Sequence, residues 1–169
     1  WFDGLEEIDI PETVTTIGRY AFYNCKNLTT VTGMKNVTEI GDWAFSYCRQ
    51  LKVDLPGNIK KIGNSTFMNC KSLTEITIPK SLTDCGYGIF SGCSNLKTIK
   101  FEKGITTIPE ELFCGYFDDS WFDGLEEIDI PETVTTIGES AFYNCKNLTT
   151  VTGMYMLRII SLFLKAPSP

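Results

Sequence analysis

Residues 5–27, LEEIDIPETVTTIGRYAFYNCKN, decide the fold, because their spacing of apolar residues recurs along most of the chain. Units with this spacing begin at Leu5, Leu28, Leu51, Leu73, Leu96, Leu125 and Leu148. The steps between these leucines are 23, 23, 22, 23, 29 and 23 residues. A fixed period of this length predicts a solenoid, in which each unit forms one coil that stacks on the next.

Each part of the unit carries its own structural signal. Leu5, Ile8 and Ile10 place apolar side chains on one side of an extended segment, which Pro11 ends because proline donates no ladder hydrogen bond. A second short extended piece ends at Gly18, and the segment after it fits a single helical or 3-10 turn. We therefore predict a right-handed α/β solenoid with a parallel sheet on the inner, concave face and short helical or 3-10 turns on the convex side.

One segment of the sequence occurs twice. Residues 1–34 equal residues 121–154 except that Arg19 and Tyr20 become Glu139 and Ser140. A coil of a solenoid contacts only its neighbours, so it can be copied without disturbing a global core. The two differing positions fall where the period predicts solvent-exposed side chains.

The pattern LxxIxIPxxVxxIGxxAFxxCxxL resembles the BspA-like leucine-rich repeats of surface proteins from bacteria and some parasitic protists. The residues that carry this resemblance are Ile17-Gly18, Ala21-Phe22 and Cys25, with matching sets at Ile40-Gly41, Ala44-Phe45 and Cys48 and at Ile137-Gly138, Ala141-Phe142 and Cys145. The resemblance implies a curved horseshoe, a cell-surface or extracellular location, and adhesion to host proteins or to other cells. It implies no catalytic residues.

The composition removes several classes of function. The net charge is −6 and no cluster of lysine and arginine is present, so we expect no nucleic acid partner. The chain contains no histidine, which excludes Ser-His-Asp and Cys-His catalysis and histidine-based zinc sites. We accordingly expect no enzymatic activity, no cofactor and no metal.

Five of the seven cysteines occupy one repeat position, at Cys25, Cys48, Cys70, Cys93 and Cys145. Zinc sites prefer close C-x₂₋₄-C pairs, which the chain lacks. The spacing of stacked strands does not exclude a disulfide between neighbours, although parallel side chains hold Cβ atoms too far apart to favour one. We predict buried thiols that act as small apolar fillers.

Candidate binding residues form two groups. The fifth unit carries an insertion at residues 114–124, where aromatic and aspartate residues are crowded. Its aromatic residues Tyr116, Phe117, Trp121 and Phe122 are candidate anchors for a protein or stacking platforms for a glycan. The alternative is that these rings pack back on the convex side. A calcium site from the aspartates is a weaker alternative, because no ligand spacing supports it.

The second group is the outward row of the concave strands. It comprises Glu7, Asp9, Thr30, Thr32, Asp54, Glu75, Thr77, Glu127 and Asp129. We interpret this acidic, threonine-rich row as a solvated face available for weak partner contacts, since nothing encloses its carboxylates.

The domain prediction is a solenoid over residues 1–154 and an atypical apolar tail over residues 155–169. The tail is a cap for the last coil or the artefact of a shifted reading frame, and it is too short to insert in a membrane. Because the chain begins at Trp1, we expect it to be a fragment of a longer protein.

Two functional hypotheses remain. The first is a monomeric, non-catalytic surface or secreted module that binds a protein or glycan on host or neighbouring cells. The second is a passive spacer within a larger surface protein whose active or anchoring domain lies outside this fragment.

Overall fold

The computed structural model describes residues 4–115 and 122–153, which form a parallel β-solenoid. We number the coils 1 to 6 from their first leucines at positions 5, 28, 51, 73, 96 and 125. The strands are β1 Glu7–Asp9, β2 Thr16–Ile17, β3 Thr30–Thr32, β4 Glu39–Ile40, β5 Lys61–Ile62, β6 Glu75–Ile78, β7 Asp84–Cys85, β8 Thr98–Phe101, β9 Thr107–Ile108, β10 Glu127–Asp129, β11 Thr136–Ile137 and β12 Thr150–Thr152.

The strands stack in two parallel ladders. The first-strand ladder pairs β1 with β3, β6 with β8 and β10 with β12. Coil 3 joins it only through a bridge between Thr30 and Lys52. The second-strand ladder runs β2-β4-β5-β7 and then β9-β11. Equivalent residues lie side by side, as Ile17 does with Ile40, so the repeat spacing sets the register.

A proline follows β9, at the interruption of the second-strand ladder between β7 and β9. In the coils before this break, a glycine after the strand donates its N–H to the preceding coil, as Gly63 does to the carbonyl of Ile40 at 2.8 Å. Pro109 stands at this position in coil 5 and has no N–H to donate. Pro109 therefore removes one of the hydrogen bonds that would continue the ladder from β7 to β9.

The described residues that follow the second strand of each coil, the turn segment, do not form the predicted helical turn. No α-helix occurs in the described part of the chain, and its one 3-10 helix, Met34–Asn36, lies between β3 and β4 rather than on the convex side. Residues four apart in the turn segment, such as Tyr20 and Asn24, have positive φ. Their N–H groups point to the next coil, and that of Tyr20 donates to the carbonyl of Asp42 at 3.0 Å. A helix would turn these donors back into its own coil.

Inside the solenoid, each coil contributes one phenylalanine that packs on its counterpart in the next coil. The stacked rings are Phe22, Phe45, Phe67, Phe90, Phe113 and Phe142. Neighbouring ring centroids lie from 5.1 Å (Phe22 to Phe45) to 6.2 Å (Phe90 to Phe113) apart, within the range of favourable aromatic pairs. The file-by-file packing that the repeat predicts is present. The predicted solenoid architecture is thus confirmed, without the predicted helical turns.

Candidate functional site

The outward surface of the first-strand ladder, which we call the first-strand face, carries the row predicted from the sequence. Strand alternation turns Ile8 inward and leaves its two neighbours in β1 exposed. The structure leaves Glu7, Asp9, Thr32, Asp54, Glu75, Glu127 and Asp129 exposed and half-buries Thr30 and Thr77. The predicted row therefore contributes polar groups to one surface.

Threonine hydroxyls bond carboxylates of the neighbouring coil on this face. The Oγ1 of Thr32 donates to Oδ1 of Asp9 at 2.7 Å. The same bond recurs in the second copy, where Thr152 donates to Asp129 at 2.8 Å. Strand register sets both pairs opposite each other. Each of these aspartates is therefore an exposed hydrogen-bond acceptor that is held by a threonine of the next coil.

Lysine–glutamate pairs also cross between coils. The Nζ of Lys100 lies 2.7 Å from Oε2 of Glu75, and that of Lys97 lies 2.5 Å from Oε1 of Glu126. The hydrogen bond and the positive charge of Lys97 lower the pKa of the Glu126 carboxyl. All four side chains are about half exposed, so water screens these pairs strongly.

The first-strand face contains an open groove of about 700 Å³ between coils 2 and 3. It forms where the first segment of coil 3 makes only one bridge to β3. Thr30, Thr32, Lys52 and Asp54 line it together with Met34. The groove thus brings three of the predicted residues together with a lysine and an apolar floor.

The described residues offer no cluster suited to a metal ion: residues 4–115 and 122–153 contain no group of three or more cysteines, aspartates or glutamates placed to hold one. No helix in these ranges is long and apolar enough to cross a membrane.

Only part of the aromatic insertion lies within the described residues. Tyr116, Phe117 and Trp121 lie outside the described residues. Phe122 is 0% exposed, and its ring centroid lies 6.1 Å from that of Phe90 and 6.3 Å from that of Phe113. Its assignment as an exposed binding anchor is corrected accordingly, because the ring packs into the phenylalanine file between coils 4 and 5.

The cysteine column is built as the repeat predicts, with one further feature. All seven cysteines are free thiols, and each is buried except the half-buried Cys145. The Sγ of Cys48 donates to the carbonyl of Phe22 at 3.0 Å, and that of Cys93 to the carbonyl of Phe67 at 3.0 Å. Burial raises the pKa of Cys48 and of Cys93 to about 12, so these thiols stay protonated and unreactive in the fold.

A second surface, missed by the sequence interpretation, lies on the turn segments of coils 1 and 2. We call it the turn cluster, and it consists of Arg19, Tyr20, Tyr23, Trp43 and Tyr47. Tyr20 and Trp43 stack with centroids 5.3 Å apart, and the Arg19 guanidinium carbon lies 4.9 Å from each of these centroids. Tyr23 meets Tyr20 and Tyr47 edge to face. The available signal was the accumulation of aromatic residues at positions that the period assigns to solvent.

The backbone beneath this cluster is strained. Tyr20, Trp43 and Tyr47 have φ values of 58°, 51° and 63°, in the left-handed region that bulky side chains avoid. Such conformations cost about 1–3 kcal/mol each. The coil geometry imposes them, since Gly88 adopts a φ of 63° at the position equivalent to Tyr20.

The comparisons with known proteins agree with this geometry. A leucine rich cell surface protein from Faecalibacterium prausnitzii is 37% identical with a TM-score of 0.66, over 88% of this chain and 39% of that one. A leucine-rich repeat protein from Bacteroides ovatus is 32% identical with a TM-score of 0.68, over 88% of this chain and 37% of that one. The chain thus spans less than half the length of either protein.

A leucine-rich repeat protein from T. pallidum shares the fold, at 24% identity and a TM-score of 0.63, over 87% of this chain and 66% of that one. The comparison with curated proteins found no match. The profile of the BspA type leucine rich repeat region matches residues 2–118 and 117–163, with six copies of the repeat. The chain therefore belongs to the BspA-type leucine-rich repeat family, which is consistent with a protein-interaction module.

Proposed function

We propose that this chain is a non-catalytic binding module of a cell-surface or secreted protein, which holds a protein or glycan on host or neighbouring cells. The observation that carries this proposal is the exposed polar row of the first-strand face, with its groove between coils 2 and 3. The family membership supports it, as does the description of the F. prausnitzii structure as a cell surface protein.

The groove supplies the centre of the proposed site. Thr30 and Thr32 offer hydroxyls, while Lys52 and Asp54 offer one charge of each sign. Met34 provides an apolar floor that is 7% exposed. Small apolar areas combined with a few polar groups suit a modest affinity that a longer repeat array strengthens by multivalency.

The test uses immobilised extracellular matrix proteins, a glycan array and whole cells, with the intact chain as the probe. Thr32→Arg fills the groove, and we expect about tenfold weaker binding from it. Thr152→Arg is its matched control, because Thr152 makes the same bond to an aspartate in the second copy but does not line the groove. Equal loss from both variants, or binding by neither the chain nor the variants in all three formats, contradicts the proposal.

The role of the insertion in binding is best tested by substituting its aromatic residues rather than by deleting the segment. Phe122 lies in the core, and a Cβ at Gly124 would lie 2.4 Å from the carbonyl oxygen of Cys93. Removing residues 115–124 would therefore damage the solenoid itself. The combined change Tyr116→Ala, Phe117→Ala and Trp121→Ala tests the predicted aromatic anchors, and we expect it to weaken binding while leaving the unfolding midpoint unchanged.

The passive spacer is the second candidate function. The pairs between Lys100 and Glu75 and between Lys97 and Glu126 favour it, because they satisfy charges within the face and leave fewer for a partner. A spacer predicts that the chain binds none of the three probe sets while retaining its fold.

A further inference from the structure

The turn segments carry a polarised charge distribution. Those of coils 1 to 3, residues 18–27, 41–50 and 63–72, contain Arg19, Lys26, Arg49 and Lys71 against the single acid Asp42. Those of coils 5 and 6 contain Glu110, Glu111 and Glu139 against Lys146. The whole chain has a net charge of −6. The turn cluster therefore lies at the cationic end of one surface in an otherwise acidic protein.

The aromatic residues of the cluster are not required by the coil. At the position of Tyr20 and Trp43, the other described coils carry Ser65, Gly88, Glu111 and Ser140, all with positive φ and none of them aromatic. Glycine tolerates that conformation without strain, and an aromatic ring is not needed to reach it. Coils 1 and 2 thus keep bulky rings at a position where the fold is built more easily without them. Strained bulky residues of this kind concentrate at functional sites.

The geometry favours a protein over a sugar as the occupant. Tyr20 and Trp43 turn ring faces toward each other, with an interplanar angle of 14°, so those faces are closed to a stacking sugar ring. What remains outside is Tyr20, which is 47% exposed, together with ring edges and hydroxyl groups. Tyrosine, tryptophan and arginine held rigidly on a surface are the residues that dominate protein–protein contacts.

Arg19 provides the point of charge recognition. Its Nε lies 4.0 Å from Asp42, and its terminal nitrogen donates to the Tyr20 hydroxyl at 3.4 Å. A guanidinium has five donors in a fork that matches a carboxylate, and these two long contacts leave most of them available. We propose that the turn cluster is a docking site for an acidic segment of a partner protein, separate from the first-strand face.

The experiment exploits the two copies. A display library of random peptides is selected on the immobilised chain, and the recovered peptides are titrated against the chain and its variants by fluorescence polarisation. Arg19→Glu with Tyr20→Ser gives the first copy the residues of the second, which already folds with Ser140 at a φ of 56°. The converse change, Glu139→Arg with Ser140→Tyr, is the control.

We expect the recovered peptides to be rich in aspartate and glutamate and to bind the first variant about tenfold or more weakly, with unchanged binding to the control. Trp43→Ser is expected to give a similar loss, and thermal unfolding verifies that each variant folds. Recovery of no peptide, or equal binding by the Arg19→Glu, Tyr20→Ser variant, overturns the proposal. It is also overturned if that variant loses binding to heparin but keeps the peptides, which assigns the cluster to anionic glycans. None of these outcomes depends on Thr32→Arg, so this proposal and the first-strand face fail separately.

Discussion

The two copies of the repeat, residues 4–33 and 124–153, share their sequence almost completely but not their burial. Leu125 is 0% exposed, whereas its counterpart Leu5 is only partly buried. Ala141 is 2% exposed, whereas Ala21 is exposed. The difference is that coil 5 packs against the second copy, and no described coil precedes the first. In this solenoid a residue is made a core residue by the neighbouring coil rather than by its own unit.

The two copies also show that the backbone conformation of a turn segment does not depend on its surface side chains. Tyr20 and Ser140 have φ values of 58° and 56°, although one is aromatic and the other small. The coil therefore fixes the conformation, and the side chain at this position is free to change. What changes with it is the turn cluster, which needs Arg19 and Tyr20 and has no equivalent among the described residues of the second copy.

The largest expected effect comes from truncating the same leucine in each copy. Leu125→Ala removes a fully buried side chain between two coils and should cost about 2–5 kcal/mol of unfolding free energy. Leu5→Ala should cost about half as much, because that side chain is already partly exposed. Urea unfolding followed by circular dichroism measures both. Equal costs would show that burial by the adjacent coil is not what distinguishes the copies.

The buried cysteines make the free energy of unfolding depend on pH in the alkaline range. The pKa of Cys48 and of Cys93 rises to about 12 in the fold from an ordinary value of 9.0. Above pH 9 the unfolded chain loses these protons while the folded chain keeps them, so stability is complete below pH 9 and is lost as the pH rises toward 12. Each thiol contributes about 1.4 kcal/mol per pH unit to this loss.

Urea unfolding between pH 8 and 11 checks this slope. The double variant Cys48→Ala, Cys93→Ala should lose stability less steeply, by about 3 kcal/mol per pH unit. An unchanged slope would mean that these thiols ionise in the folded chain as they do in the unfolded one.

Exchanging the two differing residues should have a small effect on stability. Arg19→Glu with Tyr20→Ser removes two aromatic pairs and two cation–π contacts. Each contributes about 0.5 kcal/mol, the lower end of the usual range, because Arg19 and Tyr20 are exposed. The exchange also relieves part of the strain of an aromatic residue with positive φ. We expect a net change within about 1 kcal/mol in urea unfolding. A loss well beyond that value would make the cluster a structural element of coil 1.

The smallest effect concerns one glutamate in each copy. Glu126 pairs with Lys97, whereas its counterpart Glu6 has no lysine partner among the described residues. Glu126→Gln should lower the unfolding midpoint slightly, and Glu6→Gln should not. The lowered pKa of Glu126 stabilises the fold above the ordinary carboxyl pKa and loses this effect as the pH falls. The difference between the variants should vanish in high salt, and its persistence there would contradict an electrostatic origin.

The architecture was readable from the sequence because one period fixes the strands, the core files and the register together. The convex turns were not, because the apolar spacing of Ala21, Phe22 and Cys25 suits a helical turn as well as a chain of turns in which every fourth residue has positive φ. The bonds that decide between them, such as that from Phe22 to the carbonyl of Ala44 at 2.8 Å, join different coils. Spacing within one unit cannot reveal them.

The candidate site was predictable only in part, for the same reason. Alternation along a strand was enough to place Glu7 and Asp9 on the first-strand face. The turn cluster depends on Tyr20 lying above Trp43, which becomes visible only once the coils are stacked. Phe122 was assigned to a loop from its neighbours in sequence, whereas contacts with Phe90 and Phe113 place it in the core.

Amide hydrogen exchange, resolved by residue, tests the central claim that neighbouring coils create the core. The N–H groups of Thr136 and Gly138 donate to carbonyls of coil 5, at 3.2 Å and 2.8 Å. The identical Thr16 and Gly18 have no such partner coil among the described residues. We predict that the amides of Thr136 and Gly138 exchange about a hundredfold or more slowly than those of Thr16 and Gly18. Equal exchange rates at these matched positions would contradict it.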